Sequence, residues 1–327
     1  MKKKILILGG SHFIGRNLIE ALISINKYEL FLFNRGLTNP GLFTDIQKIK
    51  GDRDDETQNA IRSGSWDIIV DLSCYYPDQL RKTLQNISFS PEKYIFLSTC
   101  SVYDNEGVSQ SLRNENSKIL SCNEEQYFSD DLNTYGARKA ECERLLTRSK
   151  FNCTILRPAL VYGKYDGTDR FYYWPYQVRT KSRILVPEAG KRQFSVSYVH
   201  DLVKIIIASI ENKIANDVYN AISQPQTSIA KIIDASISKM KRNPDLINLS
   251  SRFLKSQKVN EWWDFPLWLN SDIFTFSHSK LLGQLDFPLA SFTKSLDDSF
   301  KYYEELSWPK PKSGKPDEWY QKLDSLL

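Results

Sequence analysis

The sequence predicts an α/β protein built on a doubly wound parallel sheet, with a smaller α/β substrate region toward the C-terminus. Three observations carry that expectation. Short continuous apolar runs recur through the first half, as in strands buried on both faces of a parallel sheet. Segments with helical periodicity separate them. The first run opens into a glycine turn, "ILILGGSHFIGRNL", at the position where an open parallel sheet receives ligands beyond the carboxyl ends of its strands.

The elements follow in order. "KKILILGG" is a strand, and "FIGRNLIEALIS" is a helix with Ile14, Leu18, Ile19 and Leu22 at helical spacing. "YELFLFNRG" is a second strand, and "TDIQKIKGDRDD" closes a third at an acidic turn. "WDIIVDLSC" is a fourth and "EKYIFLSTCSVY" a fifth. "NTYGARKAECERLLTRSK" is helical, with Asn133 or Thr134 available to cap its start. "NCTILRPALVYG" reads as a sixth strand. This alternation implies parallel strands joined by right-handed crossovers. After Gly163 the texture changes, and "KYDGTDRFYYWPYQVRTKSR" is rich in aromatic and basic residues. "YVHDLVKIIIASIENK" is a helix and "DVYNAI" a short strand; from about Gln224 helices alternate with aromatic segments. One of these, "NEWWDFPLWL", is expected to be a buried strap rather than a lid.

The 327 residues are enough for a sizeable core, and 41% hydrophobic with 25% charged residues is ordinary for a soluble chain. The net charge of +5 is slight, and no basic run reaches five residues, so nucleic acid is not the expected partner. No apolar stretch approaches eighteen residues, so no membrane association is expected. The five cysteines are odd in number and lack a C-x-x-C pair, as befits free thiols in a reducing cytoplasm. Three scattered histidines suggest no metal site.

The glycine turn supplies the first candidate site. Gly9 permits a tight turn and Gly15 close packing of the helix, while Ser11, His12, Phe13 and Ile14 span the helix start, whose free N–H groups suit a pyrophosphate. His12 stands where a glycine is usual; its backbone N–H still serves if its side chain turns outward. Asn34 and Arg35 end the second strand where an acidic residue would hold the ribose hydroxyls of NAD, and an arginine suits a 2′-phosphate instead. NADP is therefore expected, with NAD as the alternative. Asp52 of "GDRDD" is placed to accept from an adenine amino group, with Arg53 beside it; Leu72 and Ser73 lie at the end of the fourth strand. In "TYGARKAEC", Tyr135 and Lys139 share a helix face at i and i+4. A nearby ammonium lowers a phenol's pKa toward the range useful for proton transfer. "FLSTCSVYD" adds hydroxyls at the edge of the fifth strand.

Taken together, "GGSHFIG", "GDRDD", "STCSVY", "YGARK" and "LRPALVYG", in that order over nearly the whole chain, resemble the extended short-chain dehydrogenase/reductase family, which includes nucleotide-sugar epimerases, dehydratases and reductases. The resemblance implies an NAD(P)-binding Rossmann domain over 1–162 and a mainly substrate-binding domain over 163–327, with 194–222 returning to the first. It implies Tyr135 as general acid/base, Lys139 as the residue that holds the nicotinamide ribose and tunes Tyr135, and Thr99 as a hydrogen-bond partner of the reacting oxygen. Arg157 and Pro158 fall where the sixth strand passes the nicotinamide. Tyr75, Arg170, Tyr172, Trp174 and Arg192 are candidate substrate contacts, the last standing in for a phosphate-binding arginine whose usual place is taken by Phe194. "FNRG", "YYPDQ" and "YDGTDRFYYWP" look like the "GGTRFLG" branch, whose first loop the chloroplast stem-loop RNA-binding proteins share.

Two departures narrow the implied chemistry. Dehydratases carry an Asp-Glu pair after the catalytic threonine, where this chain has Cys100 and Ser101. Fucose-synthase-like enzymes use a cysteine at the position of Ser101, so Cys100 is off by one. The leading expectation is NADPH-dependent reduction of a nucleotide-linked 4-keto-6-deoxy sugar. The alternatives are an NAD-dependent 4-epimerase and, from another class, a non-catalytic RNA- or ligand-binding protein on the same scaffold. A homodimer is a further possibility implied by the family.

Overall fold

The computed structural model describes residues 2–106, 112–269 and 273–324. The chain runs through β1 (Lys3–Leu8), α1 (Phe13–Ile25), β2 (Tyr28–Asn34), β3 (Gln47–Lys50), β4 (Ile68–Asp71), α2 (Pro77–Asn86), β5 (Lys93–Leu97), α3 (Glu124–Phe128), α4 (Tyr135–Thr147) and β6 (Cys153–Arg157). It continues through β7 (Leu160–Tyr162), α5 (Tyr173–Thr180), β8 (Arg183–Pro187), β9 (Gln193–Tyr198), α6 (Val199–Ile210) and β10 (Val218–Asn220). The last elements are β11 (Gln224–Ser228), α7 (Ile229–Met240), β12 (Asp245–Leu249), α8 (Ser251–Ser256), α9 (Ser279–Leu282), α10 (Phe292–Glu305) and α11 (Pro316–Asp324).

Seven strands form one parallel sheet in the order β10-β6-β5-β4-β1-β2-β3. The unbroken apolar run of β1 follows from its two covered faces. Successive strand side chains point to opposite sides. Ile5 and Ile7 pack with Leu18 and Leu22 of α1 and with α6, whereas Leu6 and Leu8 pack with Leu80 of α2 and Cys142 and Leu146 of α4. Strand order reverses at β1, between β4 and β2, and an open α/β sheet forms its ligand crevice above such a reversal.

The segment read as one sixth strand is two. Pro158 has no N–H to donate to a ladder, and its carbonyl instead accepts from Cys100 N–H at 2.8 Å. The chain then leaves the large sheet, and β7 joins a three-stranded sheet with β9 and β11. Within the expected returning stretch, β9 pairs with β7 and β11, while α6 packs against α1 and β10 pairs with β6. β8 and β12 form a separate parallel pair.

The C-terminal half has an aromatic core. Tyr162 stacks on Phe171 with ring centroids 4.0 Å apart, and Tyr172, Tyr173, Trp174, Phe265 and Trp268 are buried around them. The tryptophan-rich segment is a strap, as expected: Phe265, Leu267, Trp268 and Leu269 are buried. Trp263 departs from it at 67% exposed. Among the described residues no helix is long and apolar enough to cross a membrane.

Candidate active site

The carboxyl ends of β1, β2, β4 and β5 converge on the glycine turn. Gly9 and Gly10 adopt φ of +105° and +104°, a region costly for any residue with a Cβ. A Cβ on Gly15 would lie 2.4 Å from Gly10 Cα, so the first turn of α1 rests directly on the loop backbone. The N-cap, His12, makes no side-chain capping bond, and the first turn holds no acidic residue. The leading N–H groups of a thirteen-residue helix therefore face the crevice with the positive end of the helix dipole. This cradle fits a dinucleotide pyrophosphate. The His12 ring does turn outward, to within 3.2 Å of where a Cβ on Gly167 would lie. The Ser11 carbonyl accepts from Asn39 Nδ2 at 2.8 Å.

At the end of β2, Asn34 Oδ1 accepts from Gly36 N–H at 2.9 Å, and Arg35 extends into solvent with Nη1 3.8 Å from Asp52 Oδ2. Arg53 departs from the expectation of a cofactor contact. Its guanidinium is buried, donating to Asp71 at 2.7 and 2.8 Å and to Thr83 at 3.0 Å, and Tyr94 donates to the same carboxylate. Burial works against the Asp71 charge, but the Arg53 guanidinium more than offsets it and holds the carboxyl below its ordinary range. Leu72 N–H bonds the Leu8 carbonyl, and Ser73 Cβ is 3.2 Å from where a Gly9 Cβ would lie, which brings both to the glycine turn.

Thr99 and Tyr135 meet at the end of β5. Thr99 Oγ1 accepts from Ser101 N–H at 3.1 Å and donates to Ser101 Oγ at 3.2 Å, and the Tyr135 phenol hydrogen-bonds the Thr99 side chain. The helix start is built differently from expectation. A 3₁₀ turn, Leu132–Thr134, runs straight into α4, so Thr134 is already helical and donates its hydroxyl to the Asp131 carbonyl; Asp131 is the side-chain cap, accepting from Asn133 N–H at 2.9 Å. Lys139 is buried and donates to the carbonyls of Cys74 and Leu97, both at 2.8 Å, with its ammonium 4.0 Å from the Phe96 ring centroid. The expected lowering of the Tyr135 pKa is reversed: burial raises it, and the Thr99 hydrogen bond only partly counters that. The Tyr75 ring, half exposed, lies 6.3 Å from the Tyr135 ring.

Sequence reasoning passed over two groups here. A Cβ on Gly136 would fall 2.2 Å from the Ser101 carbonyl oxygen, so the glycine seats α4 against the turn after Thr99. Its signal was a glycine in the first turn of a helix, where that residue is otherwise unfavourable. Behind the strand, Glu143 of α4 binds Arg157 and accepts from Ser98, while Arg157 donates to Tyr103. Arg157 thus serves this buried network, whereas Pro158 sits directly beside the turn after Thr99. Cys100 is sealed in the same region, its thiol pushed well up by burial.

The aromatic candidates separate. Tyr172 and Trp174 are core residues whose polar atoms are already used, on the Pro309 and Pro266 carbonyls; they offer no stacking face. Arg192 pairs with Glu188 at 3.3 Å. Phe194 is fully buried in β9. Arg170 remains half-buried, 5.5 Å from the Trp262 ring centroid, and its charge reaches both the Tyr135 hydroxyl and Asp166. Asp166, also passed over, has its carboxyl pushed up to about 6 by burial, against hydrogen bonds from Thr168.

Sheet, cradle and Thr99–Tyr135–Lys139 cluster together define a Rossmann-type α/β protein of the extended short-chain dehydrogenase/reductase class. A family model described as the NAD dependent epimerase/dehydratase family matches residues 5–221, and the chain belongs to that family. It is similar to a chloroplast stem-loop binding protein of 41 kDa from Arabidopsis thaliana, 25% identical over 237 residues, covering 67% of this chain and 58% of that protein. The chain thus spans little more than half that relative's length. It is 23% identical over 255 residues to an N-acetyl-α-D-glucosaminyl-diphospho-ditrans,octacis-undecaprenol 4-epimerase of Escherichia coli O157:H7, covering 71% of each. Among solved structures, UDP-glucuronic acid 4-epimerase from Bacillus cereus, in complex with NAD, superposes with a TM-score of 0.70 at 19% identity over 94% of this chain and all of that one.

Proposed function

We propose that the protein epimerises C4 of a nucleotide-linked sugar by oxidising and re-reducing that carbon. The observation that carries this is the meeting of Thr99 and Tyr135 hydroxyls beside an uncapped α1 and its glycine cradle. A nicotinamide dinucleotide in the cradle supplies the acceptor and donor of hydride. Gly9, Ser11 and the N–H groups of His12 to Gly15 would hold its pyrophosphate, with Asn34, Arg35 and Asp52 at the adenosine end and Ser73, Lys139 and Pro158 toward the nicotinamide. Tyr135 takes the proton of the C4 hydroxyl as the carbon is oxidised and returns it on reduction, while Thr99 fixes the oxygen. Tyr75 and Arg170 flank the sugar.

Support comes from the chemistry left out and from the relatives. Cys100 and Ser101 stand where dehydratases need carboxylates for water elimination, and Cys100 is buried away from any substrate. The Escherichia coli and Bacillus cereus proteins are named 4-epimerases, the latter with NAD. Arg35 favours a second reading, NADPH-dependent reduction of a 4-keto sugar, because a guanidinium at the end of β2 suits a 2′-phosphate.

The test is to analyse the cofactor released from denatured protein, titrate NADH and NADPH by fluorescence, and follow UDP-sugars by NMR. Retained NAD with epimer formed and no net cofactor consumption is the expected result. Exchangeable NADPH consumed stoichiometrically transfers the conclusion to the reductase. Binding of neither overturns both, and salt-dependent RNA affinity would then point to a binding scaffold.

A further inference from the structure

We infer that Ser101 is the outer member of a proton relay, Ser101–Thr99–Tyr135, that reloads Tyr135 from solvent, and that Gly136 holds this relay closed. The inference rests on the acid/base role proposed for Tyr135, and extends it to a residue and a path that this role does not require.

A threonine hydroxyl has one proton to give and two lone pairs to accept with. Thr99 Oγ1 accepts from Ser101 N–H at 3.1 Å, directs its own proton to Ser101 Oγ at 3.2 Å, and also bonds the Tyr135 phenol. With Tyr135 protonated the hydroxyls point outward, Tyr135 to Thr99 to Ser101. With Tyr135 as phenolate the chain reverses. A hydronium or buffer acid gives a proton to Ser101 Oγ, Ser101 passes its own to Thr99 Oγ1, and Thr99 passes its own to the phenolate. Each oxygen ends with one proton, the acid becomes its conjugate base, and nothing is oxidised or reduced.

The surroundings favour this route. Ser101 is half-buried and borders solvent, while Thr99 is buried. The Lys139 ammonium gives its protons to the Cys74 and Leu97 carbonyls, acceptors that cannot hand a proton on. Gly136, directly after Tyr135, lets α4 rest on the Ser101 carbonyl, where a Cβ would sit at 2.2 Å. Helix and turn are thereby locked at the point where the hydroxyls join.

The test uses the full chain with 3,5-difluorotyrosine at position 135, titrated by ¹⁹F NMR, which needs neither substrate nor turnover. Charge-assisted chains lose more than neutral ones when a donor is removed, so S101A raises the phenol pKa by about 0.5 unit, S101T restores it, and G136A raises it like S101A. An unchanged titration in S101A overturns the relay. In protein that turns over, the proton inventory in H₂O/D₂O mixtures should bow in the wild type and become linear in S101A while KM holds; equal curvature in both overturns the path. A protein that turns over no sugar nucleotide refutes the proposed function, and the fluorine titration still decides the relay.

Discussion

At one end of the groove Arg35 is 62% exposed and approaches Asp52 only to 3.8 Å; at the other Lys139 is 3% exposed and donates to two carbonyls at 2.8 Å. The proposed adenosine end relies on long charged side chains in water, where each interaction is weak and adjustable. The proposed chemical end is fixed by backbone carbonyls, a glycine contact and a buried ion pair. Changes at the chemical end should therefore alter rate or folding, and changes at the other should alter affinity and cofactor choice.

The contrast can be broken at several strengths. Tyr135→Phe should lower kcat about 10²–10⁴-fold, the usual worth of a general acid/base, with dinucleotide affinity by fluorescence unchanged; a kcat within a few-fold of wild type removes Tyr135 from the chemistry. Glu143→Ala strands Arg157 in the core, and losing one partner of a buried pair costs about 3–5 kcal/mol, to be read from urea unfolding. A loss below about 1 kcal/mol, the scale of exposed pairs, would mean the chemical end is no better anchored than the other. Arg35→Ala should weaken NADPH about tenfold, one charge-assisted hydrogen bond, and NADH much less; equal losses would deny Arg35 a role in selectivity.

The smallest expected effect concerns Asp166. Its carboxyl titrates near 6 in the folded chain against an ordinary 3.8, so folding favours the neutral form. That contribution is complete below about pH 4, declines as the pH rises to about 6, and is constant above. Asp166→Asn should flatten stability over that interval in thermal melts at fixed ionic strength, and an unchanged slope would assign the pH dependence elsewhere.

The large sheet was legible because its strands are covered on both faces and so read as apolar runs. The cradle and the Thr99–Tyr135–Lys139 cluster were legible as motifs because local spacing places them. What escaped depended on distant partners. Arg53 looked like one charge in a solvated acidic turn; its partner Asp71 closes the apolar strand "IIVD", where a lone carboxylate already signalled a buried cation. Tyr172 and Trp174 carry the rings of a binding surface, and only the packing of Tyr303 and Trp308 on Tyr172 and the Pro266 carbonyl on Trp174 assigns them to the core. The break at Pro158 was written in the sequence, since a proline inside a strand is itself a warning.

The chain passes between its two halves at β6–β7, β9–α6 and β10–β11. The first 162 residues alone would lack β10, the edge strand, and α6, whose Leu202, Ile205 and Ile206 cover one face of the sheet and whose Ser209 carbonyl takes the proton of Lys93. The halves are therefore one cooperative unit. Calorimetry should give a single endotherm with matching van't Hoff and calorimetric enthalpies, limited proteolysis should release no durable N-terminal fragment, and a ribosome must finish about two-thirds of the chain before the nucleotide-binding sheet can close.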